Sequence, residues 1–372
     1  MAKGAYIGVG NIARKIKKGY VGVDGVAHKI KKAYIGVGGV ARPCWTEREI
    51  VYFGKVQGLS SARYSLAGAS VGNYCLFAGG YTNSYRVAVD AYDKNLTLTT
   101  PTGLYTARDD LAGAMVGNYC LFAGGDEGDN TSTEVDAYSQ SLTRSRPTKL
   151  SDSRKMLAGA SVGNYCLFAG GTYGNTSKAV DAYSTSLAHT TCTSLSIARH
   201  SLAGASVGSY CLFAGGNDNS NKGYDTVDAY NGSLTRSVAT SLSTTRANLA
   251  GTGIENYVLF AGGQNWGNNT AQASVDAYNQ SLTRTTPANL SAARYRLAGI
   301  SIGGFALFAG GSNASATRST ITDVFDGSLT RCATFNLNSA RERPAAATVG
   351  QYALFAGGYS AGANETVDAF MA

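Results

Sequence analysis

Seven arginines and seven aspartates recur in step along this chain: Arg63, Arg108, Arg154, Arg199, Arg246, Arg294 and Arg341, each followed at a near-constant distance by Asp90, Asp136, Asp181, Asp228, Asp276, Asp323 and Asp368. A planar guanidinium can meet a carboxylate through two parallel hydrogen bonds. One of each per unit, in equal number, predicts a structural ring of ion pairs beneath surface loops. The alternative is a ring of unpaired arginines forming an anion site at the mouth of a channel.

Other residue types capable of chemistry are sparse. The histidines are His28, His189 and His200, scattered through the chain and expected to be solvated or locally hydrogen-bonded. No Walker loop, H-E-x-x-H, C-x-x-C or G-x-S-x-G occurs. Of the seven cysteines, Cys75, Cys120, Cys166 and Cys211 occupy one repeat position, which Val258, Ala306 and Ala353 fill in the other units. Small apolar filler accounts for all seven positions, and free cysteine behaves as such in cores. The expectation is therefore a non-enzymatic protein with no catalytic residue, no metal and no cofactor.

The units differ most in the stretch after a conserved Gly pair, which is rich in Asn, Ser, Thr and Gly and carries aromatic residues. A constant frame with a variable rim is the layout of a recognition surface. Aromatic platforms among adaptable polar groups suit a sugar or a protein surface. The candidate ligand-binding residues are Tyr81, Tyr85, Tyr173, Tyr224, Trp266, Asn268 and Tyr359, with the aromatic ones expected to be exposed.

These residues must be positioned by the repeat itself. From about residue 60 the pattern runs L-S-x-A-R, L-A-G-A-S-V-G-N-Y-C-L-F-A-G-G, a variable stretch, V-D-A-Y, then S-L-T-R. The Gly pairs fall at 79/80, 124/125, 170/171, 215/216, 262/263, 310/311 and 357/358. Seven near-equal units of 40 to 50 residues, built of short apolar runs between turn signals, predict the blades of an all-β, seven-bladed β-propeller. Within a unit, L-A-G-A-S-V reads as strand A, N-Y-C-L-F-A as strand B, V-D-A-Y as strand C and the stretch ending at the S-L-T-R-x-x-x-x-x-L segment as strand D. Strands A and B are apolar nearly throughout, as expected where neighbouring blades cover both faces. The last unit ends after its strand C, whereas residues 49–56 form an orphan strand ahead of the first unit. Pairing the two closes the ring and removes an open sheet edge.

The Gly doublet after an apolar strand, the Arg upstream of it and the aromatic at Tyr92, Tyr138, Tyr183, Tyr230, Tyr278, Phe325 and Phe370 together resemble the kelch repeat family over residues 46–372. The family's usual late Trp is missing, since Trp45 and Trp266 are the only tryptophans. The resemblance implies the propeller fold. The copper radical oxidases among kelch-like propellers use two His and two Tyr ligands, a set that three scattered histidines do not supply.

Residues 1–45 are organised differently, with A-Y-I-G-V-G-N-I-A-R-K-I-K-K and its two successors stepping by 14 at Tyr6, Tyr20 and Tyr34. Gly-Val-Asp-Gly and Gly-Val-Gly-Gly predict hairpin turns between short β segments. Nine Lys and Arg stand here against a single Asp24, so this segment carries the whole +8 of the chain and residues 46–372 are formally neutral. No specific nucleic-acid binding by the propeller follows from such a balance. Lys15, Lys17, Lys18, Lys29, Lys31 and Lys32 are the candidate anchor to other virion or assembly proteins. Short basic repeats of this kind look like those at the N-termini of phage structural proteins. No apolar run suggests a signal peptide or a membrane span. The expectation is a virion-associated recognition or structural protein, made in the host cytoplasm, binding a cell-surface glycan or protein through its B–C loops, with self-association among copies open. The rival reading is a bacterial kelch-type adhesin, or an intracellular scaffold for protein contacts, placed at the cell surface or in the cytoplasm.

Overall fold

Short apolar runs separated by glycine turns cannot bury both faces alone, and each repeat solves this by folding into one four-stranded antiparallel sheet flanked by its neighbours. The computed structural model describes residues 49–372 with their side chains; ahead of them it describes the backbone of six strands. The chain divides into two compact units, 1–50 with Ala372 and Val51–Met371. In the first, consecutive strands pair as three hairpins: Tyr6–Val9 with Ile12–Lys15, Gly19–Val23 with Val26–Ile30, and Lys32–Val37 with Val40–Thr46. The last strand passes the expected boundary at residue 45 by one position. The side chains of the anchor candidates Lys15, Lys17, Lys18, Lys29, Lys31 and Lys32 lie outside the described residues.

The second unit is a seven-bladed propeller. Blade 1 comprises Ala67–Val71, Tyr74–Ala78, Val89–Asp93 and Leu98–Thr99 as strands A to D, and five further blades repeat that order. Blade 7 takes its outer strand from the start of the unit. Val51–Val56 pairs antiparallel with Val367–Met371, Val56 opposite Val367 and Val51 opposite Met371. The Tyr52 hydroxyl donates to Asp368 Oδ1 at 2.6 Å, so the seam is held by a side chain as well as by the ladder. No helix among the described residues is long and apolar enough to cross a membrane.

Two strand expectations need correction. Strand A alternates buried with half-buried or exposed residues in six blades, and is half-buried throughout in blade 6, rather than being covered on both faces, because the A strands stand side by side around the axis and leave positions partly open. Strand D begins at the Arg of S-L-T-R and is only two residues long in blades 2 and 5. The Leu before it, as at Leu142 (φ 60°) and Leu282 (φ 60°), adopts the left-handed conformation of the C–D turn.

The core is a series of inter-blade layers. Leu121, Ala137 and Leu150 of blade 2, for example, pack against Cys166, Phe168 and Tyr183 of blade 3. The cysteine position is fully buried in all seven blades. The Tyr183 hydroxyl donates to Thr148 O at 2.8 Å, and equivalent bonds run from Tyr92, Tyr138, Tyr230 and Tyr278. This explains the repeated aromatic: the ring stacks edge-on against the strand B Phe in every blade, and in blades 1 to 5 its hydroxyl also crosses to the segment leading in from the preceding blade, a bond that Phe325 and Phe370 lack.

The Gly of L-A-G serves the inner wall. A Cβ on Gly159 would lie 2.6 Å from Gly113 O, and one on Gly113 would lie 2.5 Å from Gly68 O. Backbone meets backbone there, so nothing can move aside. Gly159→Ala is expected to cost about 2 kcal/mol or more in denaturant melts, as overpacking of a rigid core does; Gly232→Ala, where a Cβ meets nothing within 4 Å, is the neutral control.

Candidate functional site

The loop face is built on the Arg–Asp pairs. All seven arginines and all seven aspartates are buried, and each Arg Nη2 lies 2.5 to 2.9 Å from the Oδ2 of its Asp. The contact is single rather than bidentate. The same Nη2 also donates to the carbonyl of the strand B Phe, as Arg199 does to Phe213 O at 3.0 Å. The other carboxylate oxygen is taken by the loop: the Ser196 N–H donates to Asp228 Oδ1, while its Oγ–H donates to Oδ2 beside the arginine. A second side chain often joins from strand D, such as Arg236 on Asp228 Oδ1 at 3.0 Å or His189 on Asp181 Oδ1 at 2.7 Å. Burial alone would push the Asp181 carboxyl up, but Arg154, His189 and the Ser151 N–H hold it below its ordinary value. Burial pulls Arg199 down, opposed by Asp228. These arginines are spent on structure, and a free anion ring is not what they form.

Above the pairs, the two residues after each Arg make two concentric circles. The first residue forms a β-bridge to the residue following the Gly pair, as in Tyr64 with Tyr81 and Asp109 with Asp126. The second residue is left-handed in every blade: Ser65, Asp110, Met156, Ser201, Asn248, Arg296 and Arg343 have φ between 48° and 55°. From Asp110 to Arg343 each donates its N–H to the carbonyl of its counterpart in the preceding blade, at 2.8 to 3.0 Å. This backbone belt lines a cavity of about 220 Å³ on the axis, with the L-A-G leucines beneath. Sequence reasoning passed over these residues. Their signal was visible, because in blades 1 to 6 R-x-x-L-A-G is constant except at x-x, and blade 7 alone departs from it with Pro344 and Ala346.

Of the expected ligand-binding residues, the structure brings three into one aromatic row. Tyr359, Tyr64, Tyr81 and Tyr85 follow one another with ring centroids 5.1, 5.7 and 5.1 Å apart, and the Arg318 guanidinium lies 4.6 Å from the Tyr359 centroid. Tyr64, missed from the sequence, is the link between blades 7 and 1. Of the aromatic residues expected to bind ligand, Tyr173 alone is exposed, at 53%. Tyr81, Tyr85, Tyr224, Trp266 and Tyr359 are half-buried, contrary to expectation, because each leans on its own loop or on another ring. Tyr224 donates to Asp218 Oδ2 at 2.9 Å. Trp266 keeps a buried Nε1 with no partner, and the exposed Asn268 accepts from the Thr270 hydroxyl at 2.6 Å. Among the described residues Tyr173, Tyr224 and Trp266, on blades 3, 4 and 5, make no ring contact with the row.

Beside the row, Asp109 is 7% exposed and its Oδ1 has no hydrogen-bond partner. Burial, with Asp110 and Asp126 adding repulsion, raises its carboxyl to about 8. His200, one position after the Arg in blade 4, is pulled down by burial.

No protein-family model matches this chain, and no curated protein matches it in sequence. In three dimensions it is similar to a solved structure titled "Structure of YjhT", with a TM-score of 0.60 at 11% identity over 76% of this chain and 99% of that one. At that identity the likeness is one of fold: the chain is an all-β, seven-bladed propeller that shares its architecture with proteins of unrelated sequence.

Two outcomes follow from the site. Arg199→Ala, which strands a buried Asp228, is expected to lower stability by about 3–5 kcal/mol in chemical denaturation. Asp109 has a carboxyl raised in the folded chain, so its contribution is full below the unfolded value and is lost as pH rises through about 8. Asp109→Asn should therefore melt higher than the unaltered chain at pH 8 to 9, with the gap closing toward pH 4.

Proposed function

We propose that this chain is a non-enzymatic recognition protein of a virion, in which the loop face of a kelch-like propeller binds a cell-surface glycan and the basic N-terminal hairpins attach the disc to a larger assembly. The observation that carries this reading is the aromatic row Tyr359–Tyr64–Tyr81–Tyr85 set on a frame locked by buried ion pairs. Half-buried aromatic rings on a stiff scaffold lose little side-chain entropy on binding. They offer flat apolar faces to the C–H side of a sugar ring, while Asn, Ser and Thr around them suit its hydroxyls. The residues between blades vary where the frame does not, which is how a fold of general use takes on a particular ligand.

The charge division supports the second half of the proposal. A segment carrying the chain's whole net positive charge, next to a neutral propeller, separates attachment from recognition. The test uses the full chain and a chain starting at residue 46, each applied to a glycan array and to purified virions lacking the protein. Both should bind the same glycans, and Tyr64→Ala with Tyr81→Ala should reduce that binding at least tenfold. Only the full chain should attach to virions. A blank array removes the glycan reading, and equal attachment by both chains removes the anchor.

A further inference from the structure

The seam between blades 1 and 2 brings tyrosines close to a carboxyl group that has no ion pair. Asp110 N–H donates to Ser65 O at 3.0 Å, which sets the pair Tyr64–Ser65 alongside Asp109–Asp110 on the next blade. Tyr81 and Tyr85 come from the loop bridged to Tyr64, and Asp126 from the loop bridged to Asp109. The Tyr85 ring leans across the seam, its Cε2 only 3.1 Å from where a Cβ on Gly128 would stand. Burial together with Asp126 and Asp109 pushes the Tyr85 hydroxyl up, as expected of a ring facing those acids.

The seam holds one more carboxyl group than it holds ion-pairing cations. Lys155 Nζ pairs with Asp126 Oδ2, and Arg343 Nη1 lies 3.8 Å from Asp110 Oδ1. Asp109 lies near Arg343 and Lys155 but pairs with neither, and its Oδ1 takes no hydrogen bond, although more than nine-tenths of it is buried. The two cations meet two of the three carboxyl groups and leave Asp109 without an ion-pair partner. A buried carboxylate in that position must either keep its proton or acquire a positive partner. A divalent metal is a poor match, since the described residues hold no group of three or more His, Cys, Asp or Glu with metal-binding geometry. A monovalent organic cation fits both halves of the seam, because an ammonium is attracted to aromatic faces as well as to a carboxylate.

We propose that the seam shared by Tyr64, Tyr81, Tyr85, Asp109 and Asp126 is a subsite for the ammonium group of an aminated sugar, with Asp109 as its counter-ion and the tyrosines as its stacking wall. The inference rests on the glycan-recognition reading and names the chemistry of the sugar. Asp109 sits among Asp110, Asp126, Arg343, Lys155, Tyr64 and Tyr85, and in the empty protein near neutrality it holds a proton. The arriving ammonium displaces that proton to solvent, so complex formation releases about one proton per site.

The test is calorimetry of the full chain at pH 6, where the sugar amine is charged, with a β-1,4-glucosamine hexamer, its fully N-acetylated counterpart and a trilysine peptide. Repeating the titration in buffers of different ionisation enthalpy counts the proton. The expected result is at least tenfold tighter binding of the free-amine hexamer than of the acetylated one, with release of close to one proton. Asp109→Asn should erase both the preference and the proton release while melting no lower than the unaltered chain. Tyr85→Ala should weaken both sugars. Equal binding of the two hexamers overturns the ammonium subsite but leaves glycan recognition standing. Trilysine binding as tightly as the amine hexamer overturns the sugar as source. Binding of neither hexamer overturns the subsite, and the glycan array then decides separately whether recognition of other sugars survives.

Discussion

A fully buried guanidinium beside a fully buried carboxylate, repeated seven times, is the constraint on which the rest of this propeller depends. Each arginine reaches from the segment entering its blade, bonds the strand B carbonyl and meets the strand C aspartate. Each aspartate then holds the first N–H of the loop above it. Removing one partner would leave an ion in a low-dielectric interior, which costs far more than the pair contributes. The arginine Nε atoms have no partner in any blade, so this is not the filling that maximises stability. What the pairs supply is position: they tie the entering loop, the second strand and the third strand of every blade to one point.

From that point the geometry propagates upward. The residue after each arginine is bridged to the residue after the Gly pair, and the next residue turns left-handed and bonds the blade before it. Left-handed backbone in residues other than glycine costs of order 1 kcal/mol each, and here a belt of inter-blade hydrogen bonds holds it. The belt converts seven separate sheets into one collar around the axis. Side chains on the collar can vary freely in type because their backbone is held by neighbours, not by their own preferences. That is how Asp109 comes to sit buried and unpartnered beside a tyrosine row without the loop rearranging to rescue it.

Closure belongs to the same logic. Val51–Val56 completes blade 7, and Tyr52 occupies on Asp368 the place that Arg236 or His189 occupies on the aspartates of other blades. The propeller's first and last strands therefore meet through the repeated hub, and around the same ring the inner wall of Gly68, Gly113 and Gly159 packs backbone to backbone.

The sequence by itself determined the blade count, the strand order, the closing strand and the one-to-one matching of Arg with Asp, because each of these is a matter of period and residue type. It also marked the variable rim. It did not show that Tyr64 joins Tyr359 to Tyr81, that Tyr85 crosses toward Gly128, or that the aromatic residues taken as exposed are half-buried, because those facts depend on contacts between residues up to about 300 positions apart in sequence. The bidentate pairing expected of Arg and Asp gave way to a single bond for a similar reason: the second oxygen is claimed by a loop N–H whose position only the assembled blade sets. Above all, Asp109 reads in sequence as one more polar loop residue. Its burial and its lack of a partner arise where two blades meet, and local sequence carries no record of what a neighbouring blade leaves unneutralised.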